Sequence, residues 1–238
     1  MSFCHIKKLD LHVNQQYALS AKGKQWAVGE TIDIAFIEGT NQQRKLTIQI
    51  AEEWLKYANI KFNWVSKLDK SDIRISFNPN LGSWSYVGTD ALFIPKTIAT
   101  MNLGQLIKST ILHEFGHMLG LLHEHQNPRG GIKWNRDAVI KSLSGPPNNW
   151  DENMIEHNVL NVANSTNSEG TEFDYKSIML YGFPDEWTTN GKGTQFNNEL
   201  SDTDIQYIQK LYPKTNSSPK PKVNKVNSIL IKLGLKQP

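Results

Sequence analysis

The sequence predicts an α+β fold, in which a twisted mixed sheet with two long helices precedes a cleft and a loop-rich C-terminal half with a late helix. Apolar and polar residues alternate from Thr31 to Ile37, as in a half-buried strand. Residues 44–58 place their apolar side chains mainly on one helical stripe, including Leu46 and Trp54. Gly, Pro and Asn become frequent after His123, which indicates loops around short helices.

The remaining elements of the first half are short. Strands are expected near residues 62–65 and 73–77. The segment Gly82–Asp90 is rich in Ser, Trp and Tyr and has two interpretations. It could be an exposed edge strand along which an extended peptide substrate binds, or a hairpin held by aromatic packing.

Helices in the second half are predicted at residues 137–143 and 151–159. Ser201 is a plausible N-cap for a later helix that runs to Leu211, and Pro213 stands just past its end. The following Pro, Ser, Asn and Lys residues are typical of a solvated linker.

The stretch His113–Glu124 carries the strongest chemical signal. His113 and His117 are four residues apart, so one helix directs both imidazoles to the same side. His123 can join them only if the helix ends between them, and glycine at position 120 suits that turn.

Three neutral imidazoles leave the fourth position of a tetrahedral Zn²⁺ open, which is typical of catalytic zinc. Glu114 beside the first ligand could act as a general base and then as an acid. A bare pair of histidines also occurs on ordinary helix surfaces. Here the pattern fixes five residues and follows the amphipathic run 106–112, which favours a metal site.

This pattern, H-E-x-x-H-x-x-G-x-x-H-E, resembles the metzincin metalloproteases, and its final Glu124 resembles the astacin branch. The run Ser-Ile-Met-Leu-Tyr at 177–181 is similar to the methionine turn of that family. The resemblance implies that Met179 underlies the metal, and that Tyr181 is a displaceable fifth ligand that donates to the oxyanion. From the residues alone, a tyrosine in an apolar run is more typical of a core.

The resemblance covers about residues 25–213 and implies a catalytic domain there. Residues 1–24 would form an N-terminal arm that could be inhibitory, and residues 214–238 a basic tail with a short apolar patch. Unlike astacins with their disulfides, the chain contains one cysteine, Cys4. A thiolate can ligate zinc, so Cys4 could hold the enzyme latent; the alternative is an incidental free thiol.

Composition is that of a globular domain, with 38% apolar and 21% charged residues. Six lysines follow Tyr212 with no acidic residue among them, so the formal net charge of +3 arises from the tail. It gives no basis for nucleic-acid binding. No apolar run is long enough for a membrane span, and the first residues lack the apolar stretch of a secretory signal. Secretion or delivery into another cell is favoured over residence in the cytoplasm, and a monomer is expected.

The sequence therefore predicts a zinc-dependent endopeptidase acting on proteins or peptides. The alternative is a zinc-dependent module that binds peptides or a cell surface without turnover, although binding alone gives no reason for Glu114 beside the open metal position.

Glu124 is expected to be structural. Lys192 could favour an acidic substrate residue but is more typical of a solvated surface. The other histidines lack paired spacing and are expected at the surface or in packing: His5, His12, His125 and His157.

Overall fold

The structure is a computed structural model, and it describes residues 23–146, 148–161 and 172–214. The first half contains a five-stranded mixed sheet. Its strands, in chain order, are β1 (Thr31–Phe36), β2 (Lys61–Trp64), β3 (Ile73–Ser76), β4 (Ser83–Ser85) and β5 (Met101–Leu103). The spatial order is β2-β1-β3-β5-β4, and only β4 runs antiparallel to its neighbour. The predicted mixed sheet is confirmed.

Two helices of 11 residues each pack with this sheet: α1 (Asn41–Ala51) and α2 (Lys108–Met118). A capping box starts α1, because the Thr40 hydroxyl accepts from the Gln43 backbone while the Gln43 side chain accepts from the Thr40 backbone. A 3₁₀ helix, Glu52–Lys56, continues the chain and buries Trp54. Leu46 was expected on the buried stripe, but that was wrong: Leu46 is 37% exposed, because the buried face of α1 passes through Thr47, Ile50 and Ala51.

The second half is loop-rich, as predicted. Its helices are α3 (Arg136–Ser144), α4 (Glu152–Ile155) and α5 (Asp202–Leu211), and α4 continues as a π-helical turn, Glu156–Leu160. Ser201 caps α5 through a capping box with Asp204, as its position in the sequence indicated.

Two hydrophobic cores meet at the predicted methionine turn. Ile178 and Met179 belong to the core between the sheet, α1 and α2, whereas Leu180 and Tyr181 belong to the core of the second half. The chain therefore crosses from one core to the other within two residues, and the cleft lies beside this crossing. No helix in the part of the chain that the structure describes is long and apolar enough to span a membrane.

Candidate metal centre

Helix α2 supplies two of the predicted metal ligands. His113 and His117 lie one turn apart with both side chains buried, and their ring centroids are 4.7 Å apart. The Nδ1 atom of His113 lies 2.8 Å from the carbonyl oxygen of Ile178, and that of His117 lies 2.9 Å from the carbonyl of Leu121. A carbonyl can only accept, so each Nδ1 donates its proton and each Nε2 keeps a lone pair.

A glycine turn returns the chain to the same point. Gly120 has φ +97°, a left-handed conformation that L side chains rarely adopt. The Leu121 N–H donates to the Gly116 carbonyl and the Gly120 N–H to the His117 carbonyl, which together form a Schellman motif. This ending of α2 brings Nε2 of His123 to 3.0 Å from Nε2 of His117.

The three imidazoles fit a metal ion. One nitrogen from each of them lies within 4.8 Å of the others, and Nε2 of His113 is buried with no hydrogen-bond partner among the described residues. Burial lowers the pKa of His113 to about 4 and the pKa values of His117 and His123 well below the ordinary value, so all three are neutral ligands near pH 7. A set of three neutral nitrogens suits zinc with an open coordination position.

Glu114 and Tyr181 flank this group. The Glu114 side chain is buried, and both residues line the same cavity as His113. The hydroxyl of Tyr181 lies 2.6 Å from Nε2 of His123, and the ring of Tyr181 stacks on the ring of His113 at 5.3 Å. The structure thus brings together five residues that were predicted at the site: His113, His117, His123, Glu114 and Tyr181. Cys4 lies outside the described residues.

The methionine turn contacts the helix that carries the ligands. Gly116, between His113 and His117, has no room for a Cβ because the sulfur of Met179 occupies that space. The turn itself is held by Asp204, which accepts hydrogen bonds of 2.7 Å from the Ile178 backbone and from the Ser177 hydroxyl. Burial raises the pKa of Asp204 against the effect of these hydrogen bonds.

Glu124 joins the ligand loop to the same region. Its carboxylate accepts from the Asn127 amide and from the Asp174 backbone, each at 2.9 Å. Burial raises the pKa of Glu124 to about 7, and these two hydrogen bonds oppose the shift. Among the described residues, the hydrogen-bond partners of Glu124 are thus an amide and a backbone N–H, not a cation.

The rings that surround His125 were not predicted from the sequence. This side chain is buried, and its ring stacks at 4.9 Å on the ligand His123 and at 5.2 Å on Tyr181. Its Nε2 lies 2.9 Å from the carbonyl oxygen of Asn158 in the π-helical turn. The available signal was its place two residues after a ligand, but only the fold could show which rings surround it.

The cleft has a cavity of about 190 Å³. The parts of the cavity wall that the structure describes come from β4, the start of α2, the methionine turn and the segment before α5. The lining residues are Ser83, Gln105, Ile107, Ser109, Thr110, His113, Glu114, Ile178, Leu180, Tyr181, Phe196, Asn197 and Asn198. Strand β4 lies at the edge of the sheet, as one interpretation of Gly82–Asp90 required, but its three residues are buried and a 3₁₀ helix follows at Gly88–Phe93.

Relatives of similar sequence are named as metalloproteases. Zinc metalloproteinase nas-13 of Caenorhabditis elegans is 29% identical over 185 residues, which cover 73% of this chain and 37% of that protein. Astacin-like metalloprotease toxin 5 of Loxosceles gaucho is 29% identical over 161 residues, which cover 66% of this chain and 76% of that protein. The chain thus spans only about a third of the length of nas-13.

Solved structures show the same likeness. The structure of myroilysin superposes with a TM-score of 0.78 at 36% identity, covering 82% of this chain and 98% of that chain. High choriolytic enzyme 1 from Oryzias latipes shares the fold, with a TM-score of 0.52 at 19% identity. The model of the peptidase family described as Astacin matches residues 18–213. With this match over most of its length, the chain belongs to the astacin family of zinc metallopeptidases.

Proposed function

We propose that the chain is a zinc endopeptidase that hydrolyses peptide bonds within proteins. The observation that carries the proposal is the convergence of three histidine nitrogens within 4.8 Å, in a cleft that the buried Glu114 also lines. His113, His117 and His123 would hold the zinc. When bound, zinc would polarise the scissile carbonyl and lower the pKa of a water molecule toward about 7.

Two side chains would then handle protons and charge. Glu114 accepts a proton from the attacking water and transfers it to the leaving amide nitrogen. Tyr181 turns its hydroxyl from His123 toward the substrate and donates a hydrogen bond to the oxyanion of the tetrahedral intermediate. Burial of Glu114 excludes bulk water from this step, which strengthens both interactions.

The substrate would lie extended along β4. This strand pairs with β5 on one side and has no described strand on the other, and Ser83 within it lines the cavity. Because the side chains of β4 are buried, a peptide would pair with its backbone groups. A monomer is sufficient for this chemistry, since one chain supplies every residue named.

The proposed catalytic domain comprises residues 25–213. Its end is tied to the body of the domain, because the Asn59 backbone donates to the Tyr212 carbonyl at 2.8 Å and the Asn59 side chain donates to the Pro213 carbonyl at 3.1 Å. Residues 1–24 would be an arm that can inhibit, and residues 214–238 a basic tail. Deleting 214–238 should leave peptide cleavage intact; loss of activity in a folded truncated protein would move the boundary.

Cys4 would restrain activity by ligating the zinc from the N-terminal arm. The substitution Cys4→Ser should raise the activity of the purified protein, and an unchanged rate would remove this role.

Secretion or delivery into another cell is the proposed location. Fractionation of a producing culture tests it, and recovery only from the producing cytosol would contradict it.

The deciding experiment compares the zinc-loaded wild type with Glu114→Gln on a diverse peptide mixture, with cleavage sites identified by mass spectrometry. The wild type should cleave and a chelator should abolish cleavage, while the variant should be slower by about a thousandfold because the general base is gone. Zinc content and circular dichroism serve as controls for folding. Peptide binding without cleavage by either protein would favour the non-catalytic binding module.

A further inference from the structure

The wall of the cavity beside Glu114 carries two apolar side chains that solvent reaches. Ile107, just before α2, is 54% exposed, and Phe196, in the segment before α5, is 52% exposed. Leu180, which is buried, adds a third apolar surface to the same cavity. Large exposed apolar side chains that share a cleft are typical of a surface that a ligand covers.

Glu114 is the acidic side chain among the described residues of this wall. Among the lining residues that the structure describes, none is Lys or Arg. Lys108 follows Ile107, but its Nζ lies 2.6 Å from a Glu199 carboxylate oxygen and 3.2 Å from one of Glu53. Lys192 is exposed and is not among the described lining residues. An acidic substrate side chain would therefore find no cation among the described lining residues and would share the cavity with Glu114.

The wall is also fixed in place. The side-chain nitrogen of Asn197 donates to the carbonyl oxygens of Tyr175 and Ser177, each at 3.0 Å, and so anchors this segment to the methionine turn. The ring of Phe196 packs over Gly182, where an added Cβ would approach it to 2.7 Å. An apolar surface built in advance can select a substrate side chain without first having to order itself.

We infer that this cavity selects a neutral, apolar side chain next to the scissile bond and disfavours Asp and Glu there. The inference rests on the proposed endopeptidase function. A side chain of the size of Leu or Phe would contact Ile107, Leu180 and Phe196. An acidic side chain would lose its hydration and gain no counter-charge from the described lining side chains.

The test uses the full-length, zinc-loaded protein. A peptide mixture first identifies the flanking position that shows selection, and matched peptides with Leu, Ala or Asp at that position then give values of kcat/KM. Leu should exceed both Ala and Asp by about tenfold or more. The variants Ile107→Ala and Phe196→Ala should each reduce the ratio of Leu to Ala several-fold. Ile98→Ala is the matched control, because Ile98 is 51% exposed and does not line the cavity, and it should leave the ratio unchanged.

A gain of function gives an independent measurement. Asn198→Arg places a cation on the wall and should raise kcat/KM for the Asp peptide relative to the Leu peptide. Fluorescence anisotropy measures the binding of the same peptides to the Glu114→Gln variant. The affinities should show the same order of preference without turnover.

The outcomes separate the two proposals. Cleavage by the wild type with a preference for Asp, or equal effects of Ile107→Ala and Ile98→Ala, would overturn the specificity and leave the peptidase intact. Absence of cleavage together with binding that does not discriminate between Leu and Asp would overturn both.

Discussion

The hydroxyl of Tyr181 lies 2.6 Å from Nε2 of His123, so two residues 58 positions apart in sequence share a contact at the metal centre. Nε2 of His123 also lies 3.0 Å from Nε2 of His117. A metal ion held by these nitrogens would compete with the phenol for the His123 lone pair. Under the proposed function, the phenol would then have a proton to donate to the substrate oxyanion.

Replacement of Tyr181 by Phe removes that donor and keeps the ring. We expect kcat to fall by about a hundredfold, the usual loss for one oxyanion donor, while zinc content stays unchanged. Steady-state kinetics and atomic absorption measure the two quantities. Tyr175→Phe is the control, since Tyr175 is 63% exposed. Equal activity of Tyr181→Phe and the wild type would refute the role of the phenol.

His125 should orient His123 and Tyr181, because its ring stacks on both and its Nε2 is held by the Asn158 carbonyl. His125→Ala should weaken zinc binding by about tenfold, as the loss of a supporting group near a ligand commonly does. Competition with a chromogenic chelator measures the affinity. His125→Phe, which keeps a flat ring, should retain more of the affinity than His125→Ala; equal losses would show that the stacking does not position the ligand.

Gly120 should be intolerant of a side chain for conformational reasons alone. An added Cβ would meet nothing closer than 3.8 Å, so the cost of Gly120→Ala comes from φ +97°. We expect a loss of about 1–2 kcal/mol in the free energy of unfolding, together with weaker zinc binding as His123 moves. Denaturant unfolding tests the first effect. Gly131→Ala, in open space without a positive φ, should be close to neutral.

Asp204 should stabilise the methionine turn and make stability depend on pH. Asn offers one acceptor oxygen where the carboxylate accepts from Ser177, Ile178 and Ser201, so Asp204→Asn should cost about 2 kcal/mol in the free energy of unfolding. Tm and denaturant unfolding measure this loss.

The direction in which pH changes the stability of the wild type relative to Asp204→Asn follows from the pKa of Asp204. Burial raises the pKa of Asp204 in the folded state, so the folded protein binds the proton more tightly than the unfolded chain does. The contribution of Asp204 to stability is therefore greatest at low pH and falls as pH rises above the ordinary value of 3.8. As pH rises above 3.8, the free energies of unfolding of the wild type and of Asp204→Asn should therefore become more similar. A difference that grows with pH would contradict the raised pKa of Asp204.

The local part of the candidate metal centre could be predicted from the sequence. The spacing of His113 and His117 fixes their common helix face, and Gly120 marks the turn that returns His123, because helical periodicity and backbone sterics act over a few residues. The strands at β1, β2 and β3 and the cap at Ser201 were recognisable for the same reason. Tyr181 was selected through a family resemblance and not through periodicity.

Which distant groups meet depends on the packing of the folded chain. The support of the methionine turn by Asp204, the stacking of His125 and the wall formed by Phe196 join segments that are far apart in the chain, and such contacts leave no periodic pattern. Strand β5 is three residues long and was not predicted, since so short a run has no readable alternation. The exposure of Leu46 was likewise set by the way α1 packs in the core. Local sterics therefore fix the ligands, and packing between distant segments fixes the chemistry around them.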